Sequence, residues 1–458
     1  MTGIPKSVGN LLNTIENHGF EAYLVGGCVR DILLGNEPKD WDITTNATPE
    51  QIQQIFLKTI ETGIKHGTVT VLADDMDATS RCSAEVTTYR IDGEYHDNRR
   101  PHTVTFSQNL ADDLARRDFT INAICLDKSG NITDLHGGQK DLAAKTIRCV
   151  GNPEKRFQED ALRILRALRF AATLGFSIEP ATAQAIHANQ HLLKNIAPER
   201  IREELTKLIC SEKNEAVKAV LHEYKEVIGT VIPELAPTFG FNQQTPHHAY
   251  DVWGHTLEVL TLSPNNPISR WAALLHDSGK PHCFTVGEHD GHGHFKGHAG
   301  VGAEIANDVM RNLRFDNKTR NTVRRLIAAH MLPKKMQKPT IKKMLNEHGI
   351  ENFERLLALC YADNRGKGVE DGYRLKKVLS CHTILREIIQ NNECYSLKQL
   401  AVNGKDMHAL GLRGKKIGET LHKLLESVIE ERVPNTKEAL VTSLAQQPEF
   451  LSPSYTFP

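Results

Sequence analysis

The chain has no Cys-x-x-Cys pair, and its nine cysteines are scattered and odd in number. That excludes a disulfide framework and a zinc knuckle, and it reads as a set of reduced thiols. No apolar run is long enough to span a bilayer, and the start, Met1-Thr2-Gly3-Ile4-Pro5-Lys6, lacks the apolar stretch of a signal peptide. A soluble cytoplasmic protein with no membrane partner is expected. Net charge is missing too: 56 Lys and Arg stand against 56 Asp and Glu. Overall charge therefore does not announce a nucleic-acid partner. Internal repeats and low-complexity tracts are absent.

At 458 residues, the chain is too long for one core, and about two to four domains are expected. Charge is informative locally. Residues 311–343 hold eleven Lys and Arg against the single acid Asp316, a segment suited either to a phosphate backbone or to a solvated basic face. The first 145 residues alternate in the α/β manner. A helix near 6–18 leads into a strand at 22–25, and β-branched or alternating runs at 68–72, 84–89 and 104–106 predict further strands. From about 146 onward the pattern is helical, with Pro-rich punctuation and a linker near 234–246.

Two constellations in the first part carry chemistry. Gly26-Gly27 at a strand-to-helix turn lets backbone N–H groups approach phosphates closely, and Arg30 stands one turn on. Ten residues later comes Asp40-Trp41-Asp42. On a strand, residues two apart share a side, so both carboxylates would form a hard-oxygen pocket suited to Mg²⁺. Two-metal phosphoryl transfer needs that arrangement. Glu85, on a later strand, is the candidate third carboxylate.

Leu24-Val25-Gly26-Gly27-Cys28-Val29-Arg30-Asp31, followed by Asp40-Trp41-Asp42-Ile43-Thr44-Thr45, resembles the head domain of class II tRNA nucleotidyltransferases and bacterial poly(A) polymerases, members of the DNA polymerase β-like superfamily. The resemblance continues through Arg116-Arg117-Asp118-Phe119-Thr120-Ile121-Asn122, Asp134-Leu135-His136-Gly137-Gly138 and Glu159-Asp160-Ala161-Leu162-Arg163. It spans at least residues 20–205. It implies that Arg116, Arg117, Asp118 and Asn122 contact sugar and phosphate, and that 199–205 stabilises the nucleotide-selecting helix.

That helix is read over Phe157–Ala172, where Asp160 and Arg163, three apart, share a face. Arg donates and Asp accepts. Cytosine and adenine each offer an amino donor beside a ring-nitrogen acceptor, so both complement the pair. Guanine and uracil would leave buried polar groups unpaired, at roughly 1–3 kcal/mol each. The resemblance gives Asp160 and Arg163 this template role. Arg166 and Arg169 extend an i,i+3 stripe toward the cleft or the RNA.

Within the family, residues 92–101 resemble the flexible loop that moves the enzyme from adding C to adding A, which disfavours a CC-only reading. Poly(A) polymerases carry a basic-aromatic signature after the second aspartate. This chain has Thr62-Gly63-Ile64-Lys65-His66-Gly67-Thr68-Val69 instead, similar to the CCA-adding branch. The resemblance thus implies CCA addition to tRNA from CTP and ATP, with Mg²⁺. An A-only enzyme or poly(A) polymerase is the alternative, and a hydrolase with an RNA-binding head a distant one.

Residues 247–300 are crowded with histidine. His255, the His276-Asp277 dyad and Asp363 resemble the HD superfamily of metal-dependent phosphohydrolases, with His298 and His330 fitting a binuclear site. Imidazole and carboxylate ligands suit Mn, Ni, Fe or Mg. His247, His248, His282, His289, His292 and His294 read as loop residues. The resemblance implies hydrolysis of phosphomonoesters or 2′,3′-cyclic phosphates.

The expected fold class is α+β. A small polymerase β-like head with a mixed sheet occupies 1–145, and an all-helical neck and body 146–236. A helical HD domain spans 240–370, and a helical tail with tRNA contact spans 371–458. No stable protein partner is implied.

Overall fold

The computed structural model describes residues 4–74, 81–93, 103–369 and 372–446. Beyond Asp92 and Gly93, the loop expected at 92–101 lies outside these residues, as does the end of the tail after 446. The chain divides into two compact units, Met1–Ala236 and Pro237–Pro458.

The first unit is built on a seven-stranded sheet. Its strands are β1 (Ala22–Val25), β2 (Trp41–Thr45), β3 (Thr59–Gly63), β4 (Thr68–Asp74) and β5 (Arg81–Thr88), with β8 (Ile124–Leu126) and β9 (Ile132–Asp134). β6 (Arg90–Asp92) and β7 (Val104–Phe106) pair separately. The sheet order is β3-β4-β5-β2-β1-β8-β9. β2 and β5 run parallel, while β1 pairs antiparallel with both β2 and β8. Burial on both faces explains the apolar character of β1 and β8. Leu24, Val25, Ile43, Ile124, Cys125 and Leu126 are all buried.

The helices of this unit begin with α1 (Lys6–Asn17), α2 (Gly27–Leu33), α3 (Pro49–Ile55), α4 (Leu110–Ala115) and α5 (Gly138–Ala143). α1 buries Val8, Leu11, Leu12 and Ile15, a spacing that lines one helical face. α3 starts with a Thr48–Gln51 capping box and Pro49 in its first turn, so its N-terminal donors are satisfied locally. Then follow α6 (Pro153–Glu159), α7 (Leu162–Leu174), α8 (Pro180–Asn189), α9 (Pro198–Ile209), α10 (Asn214–Glu223) and α11 (Lys225–Val231).

Two expectations need correcting here. The body is not wholly helical, because Thr146-Ile147 and Ser177-Ile178 form a short parallel pair. The helix read over 157–172 is broken: Asp160 adopts an extended conformation at the end of α6, and its carboxylate caps the Leu162 N–H at 3.0 Å. A side chain that satisfies a backbone donor offers the chain an alternative to continuous helix. Asp160 and Arg163 therefore do not share a face of one helix.

Among its described residues, the second unit is helical apart from a short hairpin, Thr285-Val286 with Gly293-His294. Its helices are α12 (Val252–Leu262), α13 (Pro267–Leu275), α14 (His298–Asn312), α15 (Asn317–Ala329), α16 (Lys338–His348), α17 (Ile350–Arg365) and α18 (Gly372–Gln390). α19 (Gly404–Ala409), α20 (Lys415–Ile429) and α21 (Lys437–Ala445) follow. Trp253, Trp271, Leu326, Phe353 and Leu356 are among its buried residues. Residues from Cys394 to Leu444 form their own hydrophobic cluster.

About half of the basic run at 311–343 is engaged in ion pairs. Arg311 meets Asp308 at 2.9 Å, Arg324 meets Glu304 at 2.7 Å, and Lys338 and Lys342 both meet Glu393 at 2.8 Å. Lys343 meets Glu430 at 2.6 Å. The acids lie outside the run in sequence, so a linear reading overstates its excess. No described helix is long and apolar enough to cross a membrane.

Candidate functional site

In the first unit the chain leaves β1 through Gly26, at φ +79°, and enters α2. A Cβ on Gly26 would stand 3.4 Å from both the Arg117 Nη1 and the Asp42 Oδ2 atoms. The missing side chain thus leaves a space between a cation and a carboxylate, which suits a phosphate carrying its own metal counter-ion. Asp42 lies on β2, and Asp40 stands in the bend just before that strand. Parallel pairing puts Glu85 of β5 in register with Asp42. Burial, then the neighbouring Glu85 and Asp40, push the Asp42 carboxyl up to about 6 against the opposing pull of Arg117. A carboxylate so raised is one that a bound cation would stabilise. The head acids are not among the described groups whose ligand atoms lie within 4.8 Å of one another.

Arg117 is held by a residue that the sequence reading missed. Asp113 on α4 is fully buried, pairs with Arg117 at 3.0 Å and Arg116 at 2.5 Å, and accepts from Thr44 Oγ1 at 3.1 Å. Its i,i+3 and i,i+4 spacing to the two arginines was the available signal. Both guanidinium groups pair with Asp113, and of the two it is Arg117 that stands beside Gly26 and Asp42.

The remaining candidates form one network. Arg30 donates to Asn122 Oδ1 at 2.9 Å, and Asn122 donates to Asp118 Oδ1 at 3.2 Å. Asp118 Oδ2 accepts from Arg166 at 2.6 Å, and Arg169 meets Glu204 of α9 at 2.5 Å. Arg30, Arg166 and Arg169 all lie over the ring of Phe170, the last at 4.1 Å from its centroid. Phe170 was not singled out from the sequence, where it reads as an ordinary core residue of α7. Arg163 is buried, and it donates to Glu159 Oε2 at 3.0 Å and to the Arg116 carbonyl at 2.9 Å. Asp160 accepts from Arg200 of α9 at 3.2 Å. Gly27 sits at the start of α2, close to Arg30.

The second unit holds a denser cluster, assembled from helix ends. His276 closes α13 with Asp277 just beyond it; His298 opens α14; His330 closes α15; His255 and Asp363 lie within α12 and α17. All six are buried. Ligand atoms of His255, His276 and Asp363 form one group within 4.8 Å, and those of Asp277, His298 and His330 another.

Each imidazole is oriented by a backbone carbonyl at Nδ1. His276 bonds the Ala273 carbonyl at 2.8 Å, His298 that of Phe295 at 2.7 Å, His330 that of Ile327 at 2.6 Å and His255 that of Gly366 at 3.1 Å. A carbonyl only accepts, so Nδ1 carries a proton and each ring turns its Nε2 inward. Those nitrogens face one another and the carboxylates. His298 Nε2 is 3.3 Å from His330 Nε2, and His255 Nε2 is 3.1 Å from an Asp363 oxygen. His276 Nε2 stands 3.1 Å from Asp277 Oδ2, and both are buried. Burial pushes His330 down to about 4, and His298 down as well. Imidazole nitrogens and carboxylate oxygens converging on one point fit divalent metal, and the carbonyls behind the rings are the usual orienting partners of metal-binding histidine.

Around this cluster the structure also places His248, read from sequence as a loop residue. Its ring lies 5.2 Å from that of His255, and both its nitrogens are buried without a hydrogen-bond partner. Lys280 reaches Asp277 at 2.7 Å and Lys367 approaches Asp363 at 3.9 Å. No periodic signal marks His248, because a loop carries it there.

Similarity to known proteins bears on both units. Residues 22–148 match the poly A polymerase head domain, 175–238 the probable RNA- and SrmB-binding site of polymerase A, and 297–444 the tRNA nucleotidyltransferase domain 2. The CCA-adding enzyme of Lactobacillus helveticus is 35% identical over 438 residues, covering 94% of each chain. That of Ligilactobacillus salivarius is 36% identical, again over 94% of each. The solved Bacillus stearothermophilus CCA-adding enzyme in complex with CTP aligns over 97% of both chains at 30% identity with a TM-score of 0.68. With likeness of that extent running through both units, the chain belongs to the family of CCA-adding enzymes.

Proposed function

We propose that this protein adds CCA to the 3′ end of tRNA, using CTP and ATP and no nucleic-acid template. The carrying observation is the convergence of Asp42, Arg117 and the side-chain-free Gly26, with Glu85 in register beside them. Asp40 and Asp42, with Glu85, would hold Mg²⁺, which when bound neutralises the triphosphate and activates the terminal hydroxyl. Arg117 and the Gly26-Gly27 backbone hold the phosphates. Arg30, Asn122 and Asp118 position the sugar. Asp160 and Arg163 read the base edge, with Arg163 pre-set by Glu159 and Asp160 by Arg200. The transfer joins the tRNA 3′ oxygen to the α-phosphorus and releases pyrophosphate.

The test is nucleotide incorporation into tRNA transcripts that end before CCA, with CTP and ATP offered separately and together. Incorporation of both, abolished in Asp40→Ala/Asp42→Ala, is expected. ATP incorporation without CTP would reassign the protein as an A-adding enzyme.

The second unit supports an additional activity, hydrolysis of phosphate esters at an HD-type centre. His255, His276, Asp277, His298, His330 and Asp363 would hold divalent metal (Mn, Ni, Fe or Mg), which supplies Lewis acidity to the phosphate. Lys280 and Lys367 add positive charge beside those carboxylates. Release of phosphate from a small ester by metal-supplemented protein, lost in His276→Ala, is the expected result.

A further inference from the structure

Arg30 and Arg166 stand at the two ends of one hydrogen-bonded string. Arg30 donates to Asn122, Asn122 donates to one oxygen of Asp118, and Arg166 donates to the other. The string draws on α2, on the segment from Asp118 to Asn122 and on α7. Both of its ends return to the same apolar group. The Arg30 and Arg166 guanidinium carbons lie 5.1 and 5.4 Å from the centre of the Phe170 ring. Arg169, which pairs with Glu204 of α9 at 2.5 Å, lies 4.1 Å from it.

Three cations gathered on one buried side chain is not ordinary core packing. An aliphatic residue at that place would offer them no attraction and leave their mutual repulsion standing. An aromatic face carries partial negative charge and attracts a guanidinium within about 6 Å of its centroid. It also takes no hydrogen bond, so the N–H groups in each guanidinium plane stay available to Asn122, Asp118 and Glu204. The ring is itself held in place. Fully buried Phe119 meets it edge-on, at 84° with centroids 5.8 Å apart. Phe119 directly follows Asp118, so one short segment supplies both the carboxylate of the string and the ring that orients Phe170.

We infer that Phe170 is a positioning residue for the nucleoside triphosphate: its ring closes the Arg30–Asn122–Asp118–Arg166 string into a circuit and so sets the groups that hold the sugar. The inference rests on the proposed nucleotidyl transfer and adds to it a side chain that acts through its neighbours. The negative face of the ring, rather than its bulk, does the positioning.

The test uses the full-length chain in two altered forms. Phe170→Leu keeps most of the apolar volume and removes the ring. Replacing Phe170 by a ring-trifluorinated phenylalanine keeps the ring and nearly its shape, and withdraws charge from its face. KM for CTP, for ATP and for the tRNA transcript is measured for each, beside urea unfolding. Nucleotide KM should rise about tenfold in Phe170→Leu and about threefold with the fluorinated ring, while kcat and KM for tRNA stay within about twofold. Unchanged nucleotide KM with the fluorinated ring would overturn the inference, because packing alone would then account for Phe170. Equal rises in KM for tRNA and for nucleotides would overturn it too. If wild-type protein incorporates neither nucleotide, the proposed transfer falls, and calorimetric titration of the three proteins with CTP decides Phe170 separately. Weaker CTP binding in both altered forms supports the inference; unchanged binding, or none by any of the three, ends it.

Discussion

His298 and His330 face each other through Nε2 atoms 3.3 Å apart, while each Nδ1 is tied to a carbonyl three residues earlier in its own chain segment. Two lone pairs at that distance repel unless a proton or a cation lies between them. Replacing His298 by Ala removes a ligand without leaving a new donor. The expected outcome is at least tenfold weaker metal retention in the second unit, read as metal per chain after dialysis. CTP and ATP incorporation by the first unit should stay within about twofold. Undiminished metal retention would show that the cluster is not the binding site.

Gly26 occupies a conformation that L side chains rarely adopt, and a Cβ there meets Arg117 and Asp42 at 3.4 Å. Gly26→Ala should therefore act mainly on triphosphate binding, raising KM for both CTP and ATP by about tenfold or more. The strained backbone would also cost on the order of 1 kcal/mol of stability. Steady-state kinetics beside urea unfolding separates the two effects. A change in stability with unaltered KM would remove Gly26 from the phosphate site.

Asp113 is wholly buried and accepts from two arginines and a threonine. Asp113→Ala strands two guanidinium groups and should destabilise the first unit by about 3–5 kcal/mol. Asp113→Asn keeps the shape and one acceptor and should cost less. The urea midpoints of the two variants, taken with their residual nucleotide incorporation, test the role assigned to Asp113 in holding Arg117.

Acid stability follows from Asp118. Burial alone would raise its carboxyl, but the Arg166 guanidinium and the hydrogen bonds from Arg166 and Asn122 outweigh it, bringing it down to about 2 from 3.8. A carboxyl lowered by folding stabilises the native state fully above its unfolded value. That contribution, about 2 kcal/mol, disappears as pH falls from 3.8 toward 2. Urea unfolding at pH 6 and near pH 2 should show Asp118→Asn less stable than wild type at the first pH and nearly level with it at the second. A gap of constant size across that range would count against the assignment.

What could be read from the sequence was local. Within each of the Gly26-Gly27 turn, the Asp40/Asp42 spacing and the His276-Asp277 dyad, the members stand at most two residues apart, so covalent connectivity alone keeps them close. The α+β class followed from strand and helix periodicities, which report only on the nearest face. Linear reading failed where the partner is remote. The basic run at 311–343 gives up about half of its excess to acids such as Glu304, Glu393 and Glu430. The helix expected at 157–172 breaks because Asp160 turns its carboxylate onto the backbone and to Arg200.

The residue types that do the chemistry were thus determined by the sequence: carboxylates beside a glycine turn, and histidines with aspartates at metal-ligand spacing. Tertiary structure alone decided their orientation. It chose Arg117 over Arg116 as the cation beside Asp42, because buried Asp113 fixes both. It turned four Nε2 atoms inward, because four carbonyls hold the opposite nitrogens, and it brought His248 to the edge of that cluster. Such choices depend on which groups are left without water when helices and strands pack, and no periodicity in the chain encodes that.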